Sequence, residues 1–70
     1  MIEKEFLIRI GGNIQAARMK RKLKVRELGA LCKLDYANIS RMENGQIDCK
    51  ISTLKRIAEG LDIRIEKLLL

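Results

Sequence analysis

Residues 25–45 read VRELGALCKLDYANISRMENG, and the spacing of their apolar side chains constrains the fold more than any other feature of the chain. Leu28 and Cys32 lie four residues apart and share one helix face. Ile39 and Met42 lie three residues apart and share a face of the helix that follows. The segment therefore predicts two short helices that pack their apolar faces together across a tight turn.

The residues between and after these faces favour the same arrangement. Gly29 leaves room for the second helix to approach, although glycine costs its own helix about 1 kcal/mol relative to alanine. Asp35 is an N-cap candidate for a helix over Tyr36–Glu43, because its carboxylate accepts hydrogen bonds from the first free N–H groups. Asn44 and Gly45 tolerate left-handed dihedral angles and end that helix. Two helices joined in this way indicate a helix-turn-helix, and DNA as the partner.

The N-terminal third of the chain carries one more helical pattern. Its apolar residues recur at intervals of three and four: Phe6, Ile10, Ile14 and Ala17. This periodicity predicts a first helix from about Glu3 to Lys22, with Gly11 and Gly12 as a weak point where it bends or starts late. A strand over residues 6–10 is the alternative. Helix is favoured, because an isolated strand has no partner for its backbone groups.

The C-terminal third predicts a loop, from Gln46 to Ile51, and two further helices. A fourth helix, ending near Asp62, follows from apolar residues at helical spacing: Leu54, Ile57, Ala58 and Leu61. A short closing helix carries more apolar surface than one small core covers, and these residues are expected to meet a second copy of the chain: Ile65, Leu68, Leu69 and Leu70. The chain is therefore expected to be a homodimer.

The charge balance indicates a polyanionic partner. The chain has 15 Lys and Arg against 9 Asp and Glu, a formal net charge of +6, which favours nucleic acid. Six cations lie within nine residues: Arg18, Lys20, Arg21, Lys22, Lys24 and Arg26. Such a run near a helix end usually serves only solubility. Beside a helix-turn-helix, contact with DNA phosphates is an equal alternative.

The size of the chain predicts one small domain, residues 1–70. A chain of this length buries only roughly 60% of the surface that it exposes when unfolded, so its stability is expected to be modest. With one Tyr, one Phe and no Trp, the core must be aliphatic. No apolar stretch is long enough to span a bilayer, and the N-terminus has no secretory signal pattern. The protein is therefore expected in the cytoplasm, associated with the nucleoid.

The residue types that enzymes and metal sites need are missing or scattered. Without His there is no ready base at neutral pH, and no GxxxxGKS/T phosphate loop occurs. Cys32 and Cys49 lie 17 residues apart, which is neither a zinc-ligand spacing nor a redox pair. Cys32 is predicted in the core, and Cys49 leaves a reactive thiol as the minor alternative. We expect no enzyme activity, no metal and no cofactor.

Four segments, in their order and spacing, resemble the phage-repressor and Cro-like (XRE-type) regulators, from Ile10 to Leu69. They are NIQAAR (13–18), LKVRELGALCKLD (23–35), ANISRMENG (37–45) and TLKRIAEGLDIRIEKLL (53–69). The resemblance implies an all-α, compact five-helix, lambda-repressor-like domain whose helix-turn-helix core spans about residues 25–44. It also implies that the partner is double-stranded DNA.

The resemblance assigns roles to individual side chains. An arginine and a glutamate that form a structural ion pair in the family correspond to Arg18 and Glu43. The first residues of the third helix contact bases: Tyr36, Ala37, Ser40 and Arg41. Arg41 suits the O6 and N7 atoms of guanine. The side chains expected at phosphates, with the cations of the charged run included, are Lys22, Lys24, Arg26, Asn38, Asn44 and Gln46.

Several positions depart from the family pattern. The usual Ser-Gln opening of the second helix is Lys24-Val25, which removes a hydroxyl cap and a glutamine that would contact phosphate. Lys33 stands where the family has a glycine in the turn. It must adopt a left-handed conformation, at a cost of order 1 kcal/mol, or the chain must use a different turn. Cys49 stands where the family has a loop proline. Arg64 stands where the family has the residue that caps the last helix.

Three functions remain open at this point. The leading one is a dimeric regulator of transcription that binds a specific, palindromic DNA operator through its third helix. The second is an antitoxin or a restriction-modification controller of the same fold, whose main partner is another protein or its own promoter. The third is a basic protein that binds nucleic acid without sequence preference.

Overall fold

The computed structural model describes residues 3–70, and these residues form helices and loops without a strand. Five helices follow one another along the chain: α1 Lys4–Lys20, α2 Val25–Cys32, α3 Tyr36–Glu43, α4 Ile51–Leu61 and α5 Glu66–Leu69. The all-α, five-helix architecture is therefore confirmed, and residues 6–10 are helical. Among these helices, none combines the length and the apolar character needed to cross a membrane.

The core is aliphatic, as expected. The apolar side chains that are almost completely buried come from all five helices: Ile10, Ile14, Leu28, Cys32, Ile39, Met42, Leu54, Ile57, Ala58, Leu61 and Leu68. Phe6 shares the helical spacing of Ile10 and Ile14 but is 38% exposed. The reason is that α1 contacts the end of α3 and the loop after it through Ile8 and Gly11, which come later in the helix.

Gly11 and Gly12 do not weaken α1, which continues through both. A Cβ atom on Gly11 would overlap the carbonyl oxygen of Met42 and lie 2.7 Å from that of Glu43, whereas one on Gly12 would meet nothing within 4 Å. Gly11 therefore permits the backbone of α1 to lie against the end of α3. The prediction of a late start at these glycines is wrong, because α1 begins at Lys4 and packing against α3 offsets the low helix propensity of glycine.

The short helices end in turns that long side chains stabilise from elsewhere in the fold. Lys33 adopts the left-handed conformation that its position requires, with φ 57° and ψ 45°. Arg56 of α4 donates hydrogen bonds to the carbonyl oxygens of Cys32, at 3.0 Å, and Lys33, at 2.7 Å. The guanidinium of Arg21 donates to the carbonyl oxygen of Leu61 in the same manner. These arginines satisfy backbone acceptors that every helix end leaves without a partner.

The apolar residues near α5 that were predicted to form a subunit interface differ in how far they are buried. Leu68 is completely buried within its own chain, where α5 packs against α1 and Asn13 donates to the Leu68 carbonyl oxygen at 3.0 Å. The assignment of Leu68 to a dimer interface is therefore wrong, because its side chain has no surface left for a second subunit. Ile65 and Leu69 are half-buried, and Leu70 is 80% exposed.

Candidate nucleic-acid interface

Helix α3 lies with one face in the core and the other face open. Asp35 caps it, since its Oδ1 accepts from the N–H of Ala37 at 3.0 Å, as the sequence predicted. Ile39 and Met42 point into the core. Of the residues predicted to contact bases, Tyr36 and Arg41 are exposed, and Ala37 and Ser40 are half-buried at the edge of the open face.

Gly29 brings α2 and α3 together at the start of this helix. A Cβ atom on Gly29 would lie 2.9 Å from the carbonyl oxygen of Leu34 and 3.2 Å from the Cβ of Tyr36. The close approach predicted from the sequence is confirmed, and it fixes the first turn of α3 against α2. The close packing at Gly29 thus restricts how the turn before α3, and with it the open face of α3, is oriented relative to α2.

Polar side chains on and just after α3 form hydrogen bonds within this part of the chain. The guanidinium of Arg41 donates to Oδ1 of Asn38 at 2.7 Å, across one turn of the exposed face. The side-chain amide of Asn44 donates to the carbonyl oxygen of Ser40 at 2.9 Å. Asn38 and Asn44 were expected at phosphates, and here each also orders part of α3. The Nδ2 group of Asn38 remains a donor directed away from this contact with Arg41.

The start of α2 has no side-chain cap on its free N–H groups, but a glutamate side chain binds the backbone of its N-cap residue. The backbone N–H of Lys24 donates to Oε1 of Glu27 at 2.7 Å, which is the glutamate half of a capping box. A glutamate at that spacing is the sequence signal that would have predicted it. The side chains of Lys22, Lys24 and Arg26 are exposed around this helix end.

Arg26 makes a contact that the sequence did not indicate. Its Cζ atom lies 5.2 Å from the centroid of the Tyr36 ring, within the distance of a cation–π interaction. The contact joins a side chain expected at phosphate to one expected at a base. Because the pair belongs to two different helices, its formation depends on how α2 and α3 cross.

Arg18 and Glu43 join the end of α3 to α1. Arg18 donates from Nε to Oε2 at 2.7 Å and from Nη2 to Oε1 at 3.0 Å, and its Nη1 donates to the carbonyl oxygen of Leu23 at 2.7 Å. The hydrogen bond with Glu43 raises the pKa of Arg18; burial opposes this and the charge of Glu43 adds to it. The pair fixes α3 relative to α1 and to the loop that leads into α2.

Gln46 follows the last turn of α3, and its side chain is exposed. Its backbone N–H donates to the carbonyl oxygen of Arg41 at 2.9 Å, across a turn in which Gly45 has φ 68°. Of the two residues that were expected to end α3, Gly45 adopts the left-handed conformation and Asn44 does not, since its φ is −93°. The exposed side chain of Gln46 thus lies at the end of α3, where it was expected to contact phosphate.

The two cysteines do not form a chemical site. Cys32 is buried in the core, as predicted, and burial raises the pKa of its thiol. Cys49 is half-buried, and its thiol pKa is raised by burial and by the charge of Asp48. A raised pKa lowers the fraction of reactive thiolate, so the structure disfavours a reactive Cys49. Within residues 3–70, no cluster of three or more potential metal ligands was found.

Comparisons with known proteins also identify a helix-turn-helix fold. A family model described as helix-turn-helix, HTH_3, matches residues 14–68. The HTH-type transcriptional repressor RghR of Bacillus subtilis is 40% identical over 60 residues, which are 84% of this chain but only 44% of that repressor. This chain therefore spans less than half the length of RghR.

Two solved structures are similar over most of the chain. The restriction-modification controller protein C.AhdI from Aeromonas hydrophila superposes with a TM-score of 0.87 at 26% identity, covering 89% of this chain and 94% of that one. An HTH_3 family transcriptional regulator from Vibrio cholerae superposes with a TM-score of 0.89 at 25% identity, covering 93% of this chain and 36% of that one.

Proposed function

The chain belongs to the HTH_3 helix-turn-helix family of DNA-binding transcriptional regulators, and we propose that it recognises a specific DNA sequence by placing α3 in the major groove. The observation that carries this proposal is the orientation of α3. Its apolar residues Ile39 and Met42 are buried, and Tyr36 and Arg41 are exposed. A helix held in this way can contact base edges with its first turns.

Within this proposal the exposed residues divide into two groups. The base-contacting group is Tyr36, Ala37, Ser40 and Arg41. The group that approaches phosphates is Lys22, Lys24, Asn38, Asn44 and Gln46, whereas Arg26, also expected there, lies over the Tyr36 ring. Arg41 is suited to a bidentate contact with guanine, and its bond to Asn38 already orders the guanidinium. Base contacts supply sequence preference, and phosphate contacts supply attraction that any DNA duplex would share.

We further propose that the protein is a homodimer that binds a palindromic operator. Support comes from the apolar side chains that the fold leaves uncovered near α5: Ile65, Leu69 and Leu70. A twofold dimer would space its recognition helices by about 34 Å, one turn of DNA. Each copy would then contact one half of the operator, which is why a palindrome is expected.

A second candidate is a controller of a restriction-modification system. The similarity to C.AhdI favours it, with a TM-score of 0.87 and 26% identity over 89% of this chain. The two candidates share DNA binding and differ in the genes that they regulate. A gene for a restriction enzyme next to the gene for this protein would favour the controller, and its absence would favour a regulator of other genes.

Selection from a random pool of duplexes tests the shared part of the proposal. Successive rounds of binding and sequencing should enrich one motif with twofold symmetry, whose half-sites are separated by about one helical turn. Affinities for the enriched duplex and a scrambled duplex of the same composition then measure the preference. A pool that remains random after selection would contradict sequence-specific recognition and would indicate a nonspecific basic binder.

A further inference from the structure

Arg26 and Tyr36 are brought together by the crossing of α2 and α3. The guanidinium carbon of Arg26 lies 5.2 Å from the ring centroid of Tyr36, and the tyrosine is still 48% exposed. The cation therefore occupies part of the ring surface and leaves the rest accessible. Arg26 and Tyr36 are ten residues apart in sequence, so the contact belongs to the tertiary structure.

Helix α2 restrains Tyr36 at two points. Gly29 and Arg26 are three residues apart and therefore lie on the same face of α2. Gly29 admits the backbone of Tyr36, since a Cβ atom on that glycine would lie 3.3 Å from the Tyr36 Cα. Arg26, one turn earlier, reaches over the ring. The backbone and the ring of Tyr36 are thus both held by α2.

We propose that Arg26 is a positioning residue for Tyr36, and that it determines sequence preference through the orientation of that ring. This inference rests on the proposed function, in which Tyr36 contacts a base, and it assigns Arg26 a role different from phosphate contact. A tyrosine side chain that is ordered before DNA binds loses less conformational entropy on binding. The benefit applies to the sequence that fits the ordered ring, so it increases discrimination.

Substitutions that remove the same charge at neighbouring positions separate the two roles. Arg26→Gln should reduce the preference for the selected duplex over a scrambled one by about two- to fivefold, the range of an exposed cation–π contact, and leave the salt dependence near that of the wild type. Lys24→Gln is the matched control. It should weaken both duplexes and lower the salt slope by about 1. Arg26→Lys, which keeps the charge but lacks the planar guanidinium, should give an intermediate preference.

Tyr36→Leu supplies the decisive background for these measurements. If Arg26 acts through the ring, Arg26→Gln should have no further effect on preference when Tyr36 is already leucine. The free protein gives an independent readout, because Tyr36 is the one tyrosine of a chain without tryptophan. NMR should show ring-current shifts of the Arg26 side-chain protons that disappear in Tyr36→Leu. Thermal melts of each variant establish that the fold is retained.

Three results would overturn the assignment. One is an Arg26→Gln variant that behaves like Lys24→Gln, with both duplexes weakened and the salt slope reduced. Another is an Arg26→Gln effect on preference that persists in the Tyr36→Leu background. The third is the absence of ring-current shifts in the wild type. A wild-type protein that binds selected and scrambled duplexes equally would instead contradict the proposed function itself, and the role of Arg26 with it.

Discussion

Arg18 and Glu43 form a two-point ion pair in which the side chains retain only 11% and 4% of their accessible surface. Glu43 is the one charged residue in the buried class among residues 3–70. The pair lies between α1 and the end of α3. The third guanidinium nitrogen of Arg18, Nη1, donates to the Leu23 carbonyl oxygen in the loop before α2. One arginine side chain therefore joins α1, the end of the candidate recognition helix and the loop before α2.

We expect Arg18→Ala and Glu43→Ala each to lower the free energy of unfolding by about 3 to 5 kcal/mol, because each leaves a buried charge without a partner. The double variant should lose less than the sum of the single losses. Urea titrations followed by circular dichroism measure this. The exposed pair Arg64 and Glu66, with side chains 83% and 59% accessible, is the control and should contribute under about 1 kcal/mol. If disrupting the Arg64–Glu66 pair lowered the free energy of unfolding as much as disrupting the Arg18–Glu43 pair, this prediction would be wrong.

Gly11 and Gly12 are adjacent in sequence and should respond in opposite ways to the same substitution. Gly11→Ala should cost about 1 to 3 kcal/mol or more, because its methyl group would overlap backbone atoms of Met42 and Glu43. Gly12→Ala should stabilise the protein by about 0.4 to 1 kcal/mol, because its methyl group meets nothing and alanine favours the helix. Thermal melts decide. A Gly11→Ala variant as stable as Gly12→Ala would show that α1 and α3 do not approach this closely.

The cysteines should react slowly with iodoacetamide at pH 7 to 8. Burial raises the pKa of both thiols, so the folded protein holds less thiolate at these pH values than an unfolded chain does. For Cys49 the charge of Asp48 adds to the effect of burial, and Asp48→Asn should therefore accelerate its labelling. Mass spectrometry of timed samples reports each cysteine separately. Labelling of Cys49 in the wild type at the rate found in denaturant would be inconsistent with this environment.

Dimerisation, if it uses the α5 region, should depend on Leu70 and not on every exposed apolar residue. Leu70→Asp should reduce the mass measured by light scattering at micromolar concentrations from a dimer to a monomer, because it places a charge in the proposed apolar contact. Leu31→Asp on α2 is the matched control, since Leu31 is 52% exposed and lies outside that region. A wild-type protein that is monomeric both free and on DNA would rule out the homodimer.

The helices followed from apolar spacing because each had several apolar residues at intervals of three or four. The same reasoning failed for Leu68, since a helix of four residues is too short for its period to show which leucine faces the core. It also failed for Gly11, whose role is set by Met42 and Glu43, more than 30 residues away in sequence. Local pattern cannot supply such contacts, because they depend on the angle and distance at which two helices cross.

The candidate site shows the same division. The Asp35 cap and the exposed side of α3 depend on neighbours within one helix, so sequence reasoning reached them. The contact between Arg26 and Tyr36, and the hydrogen bonds from Arg56 to the end of α2, join different helices. Both contacts are made by arginines, Arg26 and Arg56. Nothing in the neighbouring sequence distinguishes these two arginines from the other cations of the chain.

The most direct test of the central claim, that α3 supplies sequence preference, is the affinity of Arg41→Ala and Lys24→Ala for selected and scrambled duplexes at several salt concentrations. Arg41→Ala should lose about 1 to 3 kcal/mol on the selected duplex and little on the scrambled one. Lys24→Ala should weaken both and lower the salt slope by about 1. Equal weakening of both duplexes by Arg41→Ala, together with an altered sequence preference in Lys24→Ala, would contradict the assignment of α3 as the recognition helix.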